Sequence, residues 1–289
     1  MKMKRILITG KNSYVGNSLE KWLGNYPEKY KVDKISLRDK SWILQDFSIY
    51  DVILNVAGIA HIKETKENEQ LYYQVNRDLA YEVTKKAKRD GVGHFIFLSS
   101  MSVYGIETGV IDKKTPPSPN SNYGKSKLQA EQLIKSLEDE KFKIAIIRPP
   151  MIYGKDCKGN YPRLSNFALR APIFPSIENE RSMIFIDNLC EFIRLVIDQY
   201  DSGLFFPQNK DYVCTSEMVK LINEVNGKKI RMTKLLNPLL NVINNRLTNK
   251  VFGNLVYEKE MSAYKGDYQI KDFRGSIESS KYWRVTRDE

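Results

Sequence analysis

Residues 5–16 read RILITGKNSYVG, and this stretch is the strongest indication of the type of fold. Arg5 to Thr9 is a short apolar run rich in β-branched residues, and Gly10 ends it, as is typical of a buried parallel strand. Apolar residues then recur at helical intervals up to Gly24, at Val15, Leu19, Trp22 and Leu23. The stretch therefore predicts a strand, a glycine-containing turn and an amphipathic helix.

The same alternation of strand-like and helical segments continues to about residue 150. Further strands are predicted near residues 32–37, 51–58, 94–100 and 143–148, and helices near 67–90 and 123–137. Strands separated by helices indicate a parallel sheet with right-handed crossovers and helices on both faces. We therefore expect an α/β protein with a Rossmann-type doubly wound sheet.

The turn between the first strand and the first helix has the composition of a phosphate-binding site. Its glycines, Gly10 and Gly16, allow the backbone to approach a pyrophosphate at a helix N-terminus, where free N–H groups and the helix dipole favour anions. Ser13 replaces the middle glycine of the usual spacing. The position between strand and helix still predicts a dinucleotide site.

The regular alternation weakens beyond Pro149, and helices are next predicted near residues 190–200 and 215–226. We expect 1–155, with roughly 183–200 returning to it, to form a dinucleotide-binding domain. Residues 156–182 and 201–289 are expected to form a smaller lobe that shapes a substrate pocket. An apolar stripe fits core or subunit packing better than a membrane-surface helix, and it consists of Leu235, Leu236, Leu239, Leu240, Ile243 and Leu247.

The 289 residues are 42% hydrophobic and 28% charged, which indicates one large folded domain or a dinucleotide fold with a smaller lobe. The net charge is +11, but basic runs such as Lys85 to Arg89 have the helical spacing of a solvated helix face. We therefore expect no nucleic-acid partner. The remaining positive charge favours an anionic ligand such as a diphosphate.

The cysteines Cys157, Cys190 and Cys214 lack metal-ligand spacing, and only His61 and His94 could assist them. A metal site is therefore not expected. No signal-peptide pattern precedes the first strand, and no window reaches the roughly 20 apolar residues of a membrane span. The expected location is the cytoplasm.

Tyr123 and Lys127 lie four residues apart at the predicted start of a helix, so their side chains share one face. A phenol with a pKa of about 10 is a weak base at neutral pH, but an adjacent ammonium stabilises the phenolate. Tyr123 is therefore predicted to transfer protons, and Lys127 to lower the pKa of its phenol.

These motifs together resemble the extended short-chain dehydrogenase/reductase family, in particular its NAD(P)-dependent nucleotide-sugar epimerases, dehydratases and ketoreductases. In that family the turn reads Thr-Gly-x-x-Gly-x-x-Gly, from which Ser13 departs. Asn55 to Gly58 resembles the segment that lines the cofactor, and Asn76 occupies a mid-helix asparagine position of the family. The resemblance implies a cofactor site formed by Gly10, Asn12, Ser13, Tyr14, Val15, Gly16, Arg38, Ala57, Gly58, Asn76, Lys127 and Pro149.

Ser100 matches the catalytic Ser/Thr of the family when the chain is aligned on the following Val-Tyr-Gly. The resemblance implies that its hydroxyl hydrogen-bonds the reacting sugar oxygen, with Ser102 as a second candidate. Dehydratases carry an aspartate and a glutamate directly after this Ser/Thr, where this chain has Met101 and Ser102. Dehydration is therefore disfavoured, because no carboxylic acid can protonate the leaving hydroxyl.

Further residues resemble substrate-binding positions of nucleotide-sugar enzymes. Lys158 and Asn160 fall in a loop that holds phosphate and sugar. Arg181 begins a strand near the substrate diphosphate, and its planar guanidinium can donate two hydrogen bonds to one anion. His61 falls near the sugar, although a lone histidine is more often structural.

The residues after the second strand bear on the choice of cofactor. Arg38, with Ser36 nearby, favours NADP because a basic residue accommodates the 2′-phosphate, whereas an acidic residue binds the ribose hydroxyls of NAD. Asp39 follows directly, so a shift of one residue at the strand end would reverse the preference. NADP or NAD is therefore expected, with NADP favoured.

The resemblance leaves two related reactions open. Hydride exchange at a ring carbon, C4, of a UDP- or dTDP-sugar would make the protein an epimerase, whereas one reduction by NADPH would make it a 4-ketoreductase. A non-enzymatic, dinucleotide-sensing member of the fold is a third alternative, but the chain retains Tyr123 and Lys127. The family also implies a homodimer formed through the helix that carries Tyr123.

Overall fold

The structure is a computed structural model that describes residues 3–60, 62–235, 237–238, 249 and 251–281. Its strands are β1 (Lys4–Thr9), β2 (Tyr30–Ile35), β3 (Val52–Asn55), β4 (His94–Leu98), β5 (Gly109–Ile111), β6 (Lys143–Ile147), β7 (Met151–Tyr153), β8 (Ile173–Pro175), β9 (Met183–Phe185), β10 (Gly203–Phe205), β11 (Arg231–Thr233) and β12 (Leu255–Tyr257). Its α-helices are α1 (Tyr14–Leu23), α2 (Glu69–Tyr73), α3 (Ala80–Arg89), α4 (Asn122–Lys135), α5 (Asn160–Ala168), α6 (Ile186–Gln199), α7 (Thr215–Val225) and α8 (Phe273–Ser279).

Six strands form one parallel sheet in the order β10, β6, β4, β3, β1, β2. The chain builds outward from β1 to β2 on one side and then from β3 onward on the other side. The strand order therefore reverses between β1 and β3, and open α/β sheets bind ligands in the crevice at such a switch point. The predicted α/β fold with a Rossmann-type doubly wound sheet is confirmed.

The sheet is covered on both faces because successive side chains of a strand point in opposite directions. Ile6 and Ile8 of β1 belong to the apolar core that includes residues of α1 and α6. Leu7, between them, belongs to the core that includes residues of α3 and α4. All three side chains are fully buried, so β1 is covered on both faces of the sheet.

Two elements differ from the sequence prediction. The second strand ends at Ile35 instead of near residue 37, which leaves Arg38 three residues beyond the sheet. The helix predicted over 67–90 consists of α2, a π-helical segment Gln74–Leu79 and α3. A π-helical turn contains one more residue than an α-helical turn and is frequent at functional sites.

Short parallel strand pairs lie outside the main sheet, namely β5 with β12, β7 with β9 and β8 with β11. Strand β10 pairs with β6 in the main sheet, although the sequence placed 201–289 in the smaller lobe. Of the predicted apolar stripe, Leu235 is exposed. Leu236, Leu239, Leu240, Ile243 and Leu247 lie outside the described residues.

Among the described residues, no helix combines the length and the apolarity that crossing a membrane requires.

His94 is a fully buried titratable group at the start of β4. Its Nε2 lies 2.9 Å from the carbonyl oxygen of Asp201, and its ring centroid lies 4.8 Å from that of Tyr200. Nδ1 has no hydrogen-bond partner among the described residues. Burial lowers the pKa of His94 to about 4, because the charged imidazolium would be poorly solvated there.

We expect His94 to make the fold sensitive to acid. Its pKa is lower in the folded protein than in the unfolded chain, so the unfolded chain binds more protons and stability falls as the pH drops below about 6.5. Between pH 7 and pH 5 this group alone should lower the free energy of unfolding by about 2 kcal/mol. Urea unfolding at both pH values measures this loss.

The variant His94→Gln can still donate a hydrogen bond to the carbonyl of Asp201 but does not titrate. The pH-dependent loss should therefore be about 2 kcal/mol smaller in the variant than in the natural chain. An equal loss in both proteins would show that His94 is not the group responsible.

Candidate functional site

The carboxyl ends of β1 and β3 meet at the switch point, where Thr9 and Asn55 are both completely buried. The Thr9 hydroxyl donates to Asn55 Oδ1 over 2.8 Å. Asn55 Nδ2 is buried and has no hydrogen-bond partner among the described residues. Because buried donors are normally satisfied, this amide indicates a place where a polar ligand group fits.

The glycine turn packs closely against the neighbouring strands. Gly10 has a φ of +86°, and a Cβ atom added there would lie 3.0 Å from Ala57 Cα. A Cβ atom added at Gly16 would lie 2.9 Å from Ile8 Cγ2. A side chain at either position would push α1 away from the sheet, so both glycines hold the helix N-terminus at the crevice.

Ser13 has an ordinary extended backbone conformation, with φ −72° and ψ 143°, so this position does not require glycine. Its hydroxyl oxygen accepts a hydrogen bond of 3.1 Å from the N–H of Gly16 and thereby caps α1. Asn12 is exposed, whereas Val15, in the first turn of α1, is buried. The Tyr14 hydroxyl lies 2.8 Å from the position that a Cβ atom of Gly154 would occupy.

A close backbone approach brings the start of α4 to the turn that follows β4. A Cβ atom added at Gly124 would lie 2.5 Å from the carbonyl oxygen of Ser102. The hydroxyl of Ser100, in the same turn, lies close enough to the Tyr123 phenol to lower its pKa. Ser100 Oγ also lies 3.1 Å from the hydroxyl of Ser102, which is exposed.

Burial raises the pKa of the Tyr123 phenol, and the negative charge that Tyr72 can carry adds to this effect, while the nearby hydroxyl of Ser100 lowers the pKa. Burial also lowers the pKa of Lys127 to about 8, although the nearby carboxylate of Glu131 raises it. Lys127 Nζ donates to the Leu98 carbonyl over 2.8 Å. The ammonium is thus fixed at the carboxyl end of β4.

Lys127, Gly58 and Asn76 meet at one point of the crevice. A Cβ atom at Gly58 would lie 3.6 Å from Lys127 Nζ and 2.9 Å from Asn76 Oδ1. Asn76 is fully buried in the π-helical segment, and its amide exchanges hydrogen bonds of 2.9 and 3.1 Å with the backbone of Ile59. Its Nδ2 also lies 3.2 Å from the hydroxyl of Ser126. Asn76 therefore fixes the loop after β3 beside Lys127.

A buried ion pair that the sequence did not reveal supports the face of α4 that carries the site. Arg148 donates three hydrogen bonds to Glu131, with Nε–Oε1 at 3.0 Å, Nε–Oε2 at 3.2 Å and Nη2–Oε2 at 2.5 Å. A further hydrogen bond of 2.9 Å joins Arg148 Nη1 to the hydroxyl of Tyr104. Because Glu131 follows Lys127 by four residues, its helical spacing could have placed it on the same face.

Glu64 is a second residue that the sequence did not single out. Its two carboxylate oxygens accept hydrogen bonds of 3.1 Å from the backbone N–H groups of Asn122 and Tyr123. A carboxylate at a helix N-terminus is favourable because it faces the positive end of the helix dipole. Glu64 therefore ties the loop after β3 to the first turn of α4.

Arg38 and Asp39, which follow the second strand, have different hydrogen-bonding surroundings. Arg38 is exposed and forms no side-chain hydrogen bond or ion pair with a described residue. The Asp39 carboxylate accepts hydrogen bonds from the hydroxyl and N–H of Ser41, and these bonds lower the pKa of Asp39. The backbone N–H groups of Gly10 and Lys11 both donate to the carbonyl of Ile35, so this strand end lies beside the glycine turn.

The remaining predicted positions are spread over the molecule. The carbonyl of Pro149 accepts a hydrogen bond of 2.9 Å from the N–H of Met101, which joins the ends of β4 and β6. Lys158 and Asn160 are exposed at the start of α5, and no described contact joins them to Tyr123. His61 lies outside the described residues.

Arg181 binds the backbone of the segment that ends at Gly253. Its Nη1 donates to the carbonyl oxygens of Asn249 and Gly253 over 3.2 and 2.7 Å, and burial lowers its pKa. A cavity of about 740 Å³ adjoins this segment. Its walls include Thr108, Ser176, Ile177, Lys234, Phe252 and Gly253, and none of the residues that line it belongs to the group of Tyr123, Lys127 and Ser100.

The sheet, the glycine turn at its switch point and the Ser100–Tyr123–Lys127 group define a dinucleotide-dependent enzyme of the short-chain dehydrogenase/reductase type. Residues 6–214 match the model of the NAD dependent epimerase/dehydratase family. The chain belongs to this family. The predicted class, an enzyme that uses NAD(P) and belongs to the epimerase and reductase group, is thereby confirmed.

Sequence relatives support the same assignment. The UDP-glucose 4-epimerase of Vibrio cholerae is 31% identical over 243 residues, which cover 75% of this chain and 74% of that protein. The N-acetyl-alpha-D-glucosaminyl-diphospho-ditrans,octacis-undecaprenol 4-epimerase of Escherichia coli O157:H7 is 28% identical over 221 residues, which cover 74% of this chain and 66% of that protein.

Solved structures share the fold. The UDP-glucose 4-epimerase of Thermus thermophilus in complex with NAD superposes with a TM-score of 0.73 at 17% identity, covering 96% of this chain and 97% of that chain. The dTDP-4-dehydrorhamnose reductase of Bacillus anthracis in complex with NADP gives a TM-score of 0.66 at 19% identity, covering 87% of this chain and 99% of that chain.

We expect Gly124→Ala to damage the site more than the fold. The added methyl group would meet the Ser102 carbonyl at 2.5 Å, so the first turn of α4 has to move and carry Tyr123 away from Ser100. A displacement of about 1 Å at reacting groups costs about 100-fold in turnover. Turnover of a nucleotide sugar and the melting temperature should be measured together.

Lys125→Ala is the matched control, since Lys125 is exposed in the same helical turn. It should retain turnover within about twofold, as expected for a surface substitution. Normal turnover in Gly124→Ala would contradict the role assigned to this contact.

Proposed function

We propose that the protein interconverts nucleotide-activated sugars by hydride transfer at C4, with NAD(P) as its cofactor. The approach of α4 to the turn after β4, which sets the Tyr123 phenol beside Ser100 and holds the Lys127 ammonium at the carboxyl end of β4, is the observation that carries this proposal. The relatives from Vibrio cholerae and Escherichia coli are both 4-epimerases, which supports a reaction at this carbon.

In this mechanism Tyr123 takes the proton of the sugar hydroxyl through its phenol oxygen, and Ser100 orients the sugar oxygen. The bound cofactor supplies the hydride acceptor and donor. Because burial raises the pKa of Tyr123, the phenolate needs a nearby positive charge. We propose that Lys127, one helical turn later on the same face of α4, supplies it. Ser102, hydrogen-bonded to Ser100, would help to orient the same substrate oxygen.

The crevice fits a dinucleotide. Gly10 and Gly16 hold the N-terminus of α1 at the switch point, where the predicted Asn12, Ser13, Tyr14 and Val15 would lie against the pyrophosphate. Ala57, Gly58, Lys127 and Pro149 would border the nicotinamide half, while Asn76 would position the loop after β3. Asn55 Nδ2, a buried donor without a described partner, supports a polar ligand here.

The substrate would extend from Tyr123 toward the smaller lobe. The cavity of about 740 Å³ has the size of a typical ligand pocket, and Thr108 in its wall belongs to the loop that follows Ser100 and Ser102. Arg181 adjoins this cavity through Gly253 and would face the diphosphate of a UDP- or dTDP-sugar. Lys158 and Asn160 would contribute from the start of α5.

A 4-ketoreductase that uses NADPH is the second candidate, and the strand end after β2 favours it. Asp39 is engaged by Ser41, whereas Arg38 is exposed and Lys11 lies beside the same strand end. The cations Arg38 and Lys11 suit the 2′-phosphate of NADP, although the exposed carboxylate of Asp39 beside them keeps its negative charge. Dehydration is disfavoured because Met101 and Ser102 supply no carboxylic acid.

We further propose that the protein is cytoplasmic, forms a homodimer through α4 and has no nucleic-acid partner. We also propose that the chain is divided into a dinucleotide-binding domain and a smaller lobe. Size-exclusion chromatography with light scattering would test the dimer directly.

The deciding experiment incubates the protein with UDP-glucose, UDP-N-acetylglucosamine and dTDP-4-keto sugars in the presence of each cofactor. Product stereochemistry is read by NMR, and the reduced cofactor by its absorbance. Epimer formation without net cofactor consumption supports the proposal, and stoichiometric consumption of NADPH identifies the reductase.

Tyr123→Phe should lower turnover by at least about 100-fold, since it removes the proton-transferring hydroxyl. Tyr81→Phe on α3 serves as the control and should retain turnover. Equal activity of Tyr123→Phe and the natural chain would overturn the mechanism.

We expect Arg38→Ser to weaken NADPH binding about tenfold and to leave NADH binding unchanged, because one charged hydrogen bond to the 2′-phosphate contributes about 1.5 kcal/mol. Fluorescence titration of both reduced cofactors measures the two affinities. Lys31→Ser, at the opposite end of β2, is the control and should change neither. Equal weakening for both cofactors would remove Arg38 from the 2′-phosphate site.

A further inference from the structure

The positive charge of the chain is unevenly distributed, although basic runs such as Lys85 to Arg89 are ordinary helix surface. Residues 157–177 contain three basic residues and no Asp or Glu, and residues 225–257 contain six basic residues and no Asp or Glu. These two stretches therefore carry nine of the eleven net positive charges, and the remaining 235 residues are close to neutral.

The fold brings described parts of the two stretches side by side. Strand β8 lies in the first stretch and pairs in parallel with β11 in the second, with Ile173 opposite Arg231. The ammonium of Lys228 donates to the carbonyl of Leu169 over 2.9 Å, and the N–H of Arg231 donates to the carbonyl of Pro172 over 3.1 Å. The amino ends of β8 and β11 are therefore fastened side by side.

Basic and apolar side chains are exposed together at this corner. Arg170, Lys228, Lys229 and Arg231 are exposed, and none of them forms an ion pair with a described residue. Phe167 and Ile173 lie beside them with 55% and 43% of their surfaces exposed. These six residues are called the basic-apolar face.

One apolar and one basic side chain of the face, Ile173 and Arg231, are directed the same way. Ile173 and Arg231 are opposite each other in neighbouring parallel strands, so they project from the same side of the β8–β11 pair. Both are exposed, whereas Phe174, the next residue, is buried. A ligand that approaches this side meets cations and apolar groups at once.

We propose that the basic-apolar face docks on the surface of a membrane that contains anionic lipids. The anionic headgroups would be attracted to the four cations, and Phe167 and Ile173 would enter the boundary between headgroups and acyl chains. Nucleic acid matches the charge but offers no apolar layer for Phe167 and Ile173.

The test is vesicle flotation with the full chain, at low and at physiological salt. Vesicles of phosphatidylglycerol and phosphatidylcholine in a ratio of about 1:2 should carry the protein, and pure phosphatidylcholine vesicles should not. Binding should weaken as salt rises, because surface charges are screened. The triple variant Arg170→Gln, Lys229→Gln and Arg231→Gln should bind about 100-fold more weakly, at about fivefold for each lost charge.

The control variant Lys113→Gln, Lys114→Gln and Lys141→Gln removes the same number of exposed charges far from this corner in the sequence and should bind as the natural chain does. Phe167→Ser should reduce vesicle binding and leave its salt dependence unchanged. No binding to the anionic vesicles, or equal losses in the two triple variants, would overturn the proposal. So would equally tight binding of duplex DNA that depends on the same three cations. None of these outcomes depends on the catalytic activity.

Discussion

The contact between Gly124 and the carbonyl of Ser102 is the constraint on which the reacting group depends. It brings the first turn of α4 against the turn after β4, so that Tyr123 lies beside Ser100 and the Ser100 hydroxyl lowers the pKa of its phenol. Lys127 follows one helical turn later and is held by the Leu98 carbonyl. If α4 could not approach the Ser102 carbonyl so closely, Tyr123 would lie farther from Ser100.

Electrostatics in the site are set by burial and by the carboxylate of Glu131. Burial raises the pKa of Tyr123 and lowers that of Lys127, so both groups move toward their neutral forms when considered alone. Glu131 opposes this effect at Lys127, and Glu64 holds the helix N-terminus beside Tyr123. The residues around the site therefore influence the reaction, because they set the fraction of Lys127 that is protonated and able to stabilise a phenolate.

The sequence was sufficient to predict the parallel sheet, its glycine turn and the Tyr123–Lys127 pair, because these depend on short periodic patterns. It could not predict the end of β2, since the apolar Leu37 continues the pattern of a strand while the backbone leaves the sheet at Ile35. It also missed the pairing of Arg148 with Glu131, because ion pairs between distant residues follow from tertiary packing. The π-helical segment around Asn76 leaves no mark in the apolar spacing.

The pairing of Arg148 with Glu131 limits how this sequence can diverge. Both side chains are almost completely buried, so replacing either one alone leaves a charge without a partner inside the protein, which is strongly destabilising. Replacing both with apolar residues of similar volume removes that penalty. Homologous chains should therefore keep this arginine and this glutamate together or lose them together. Natural variants with only one of the two should be rare, because they would be unstable.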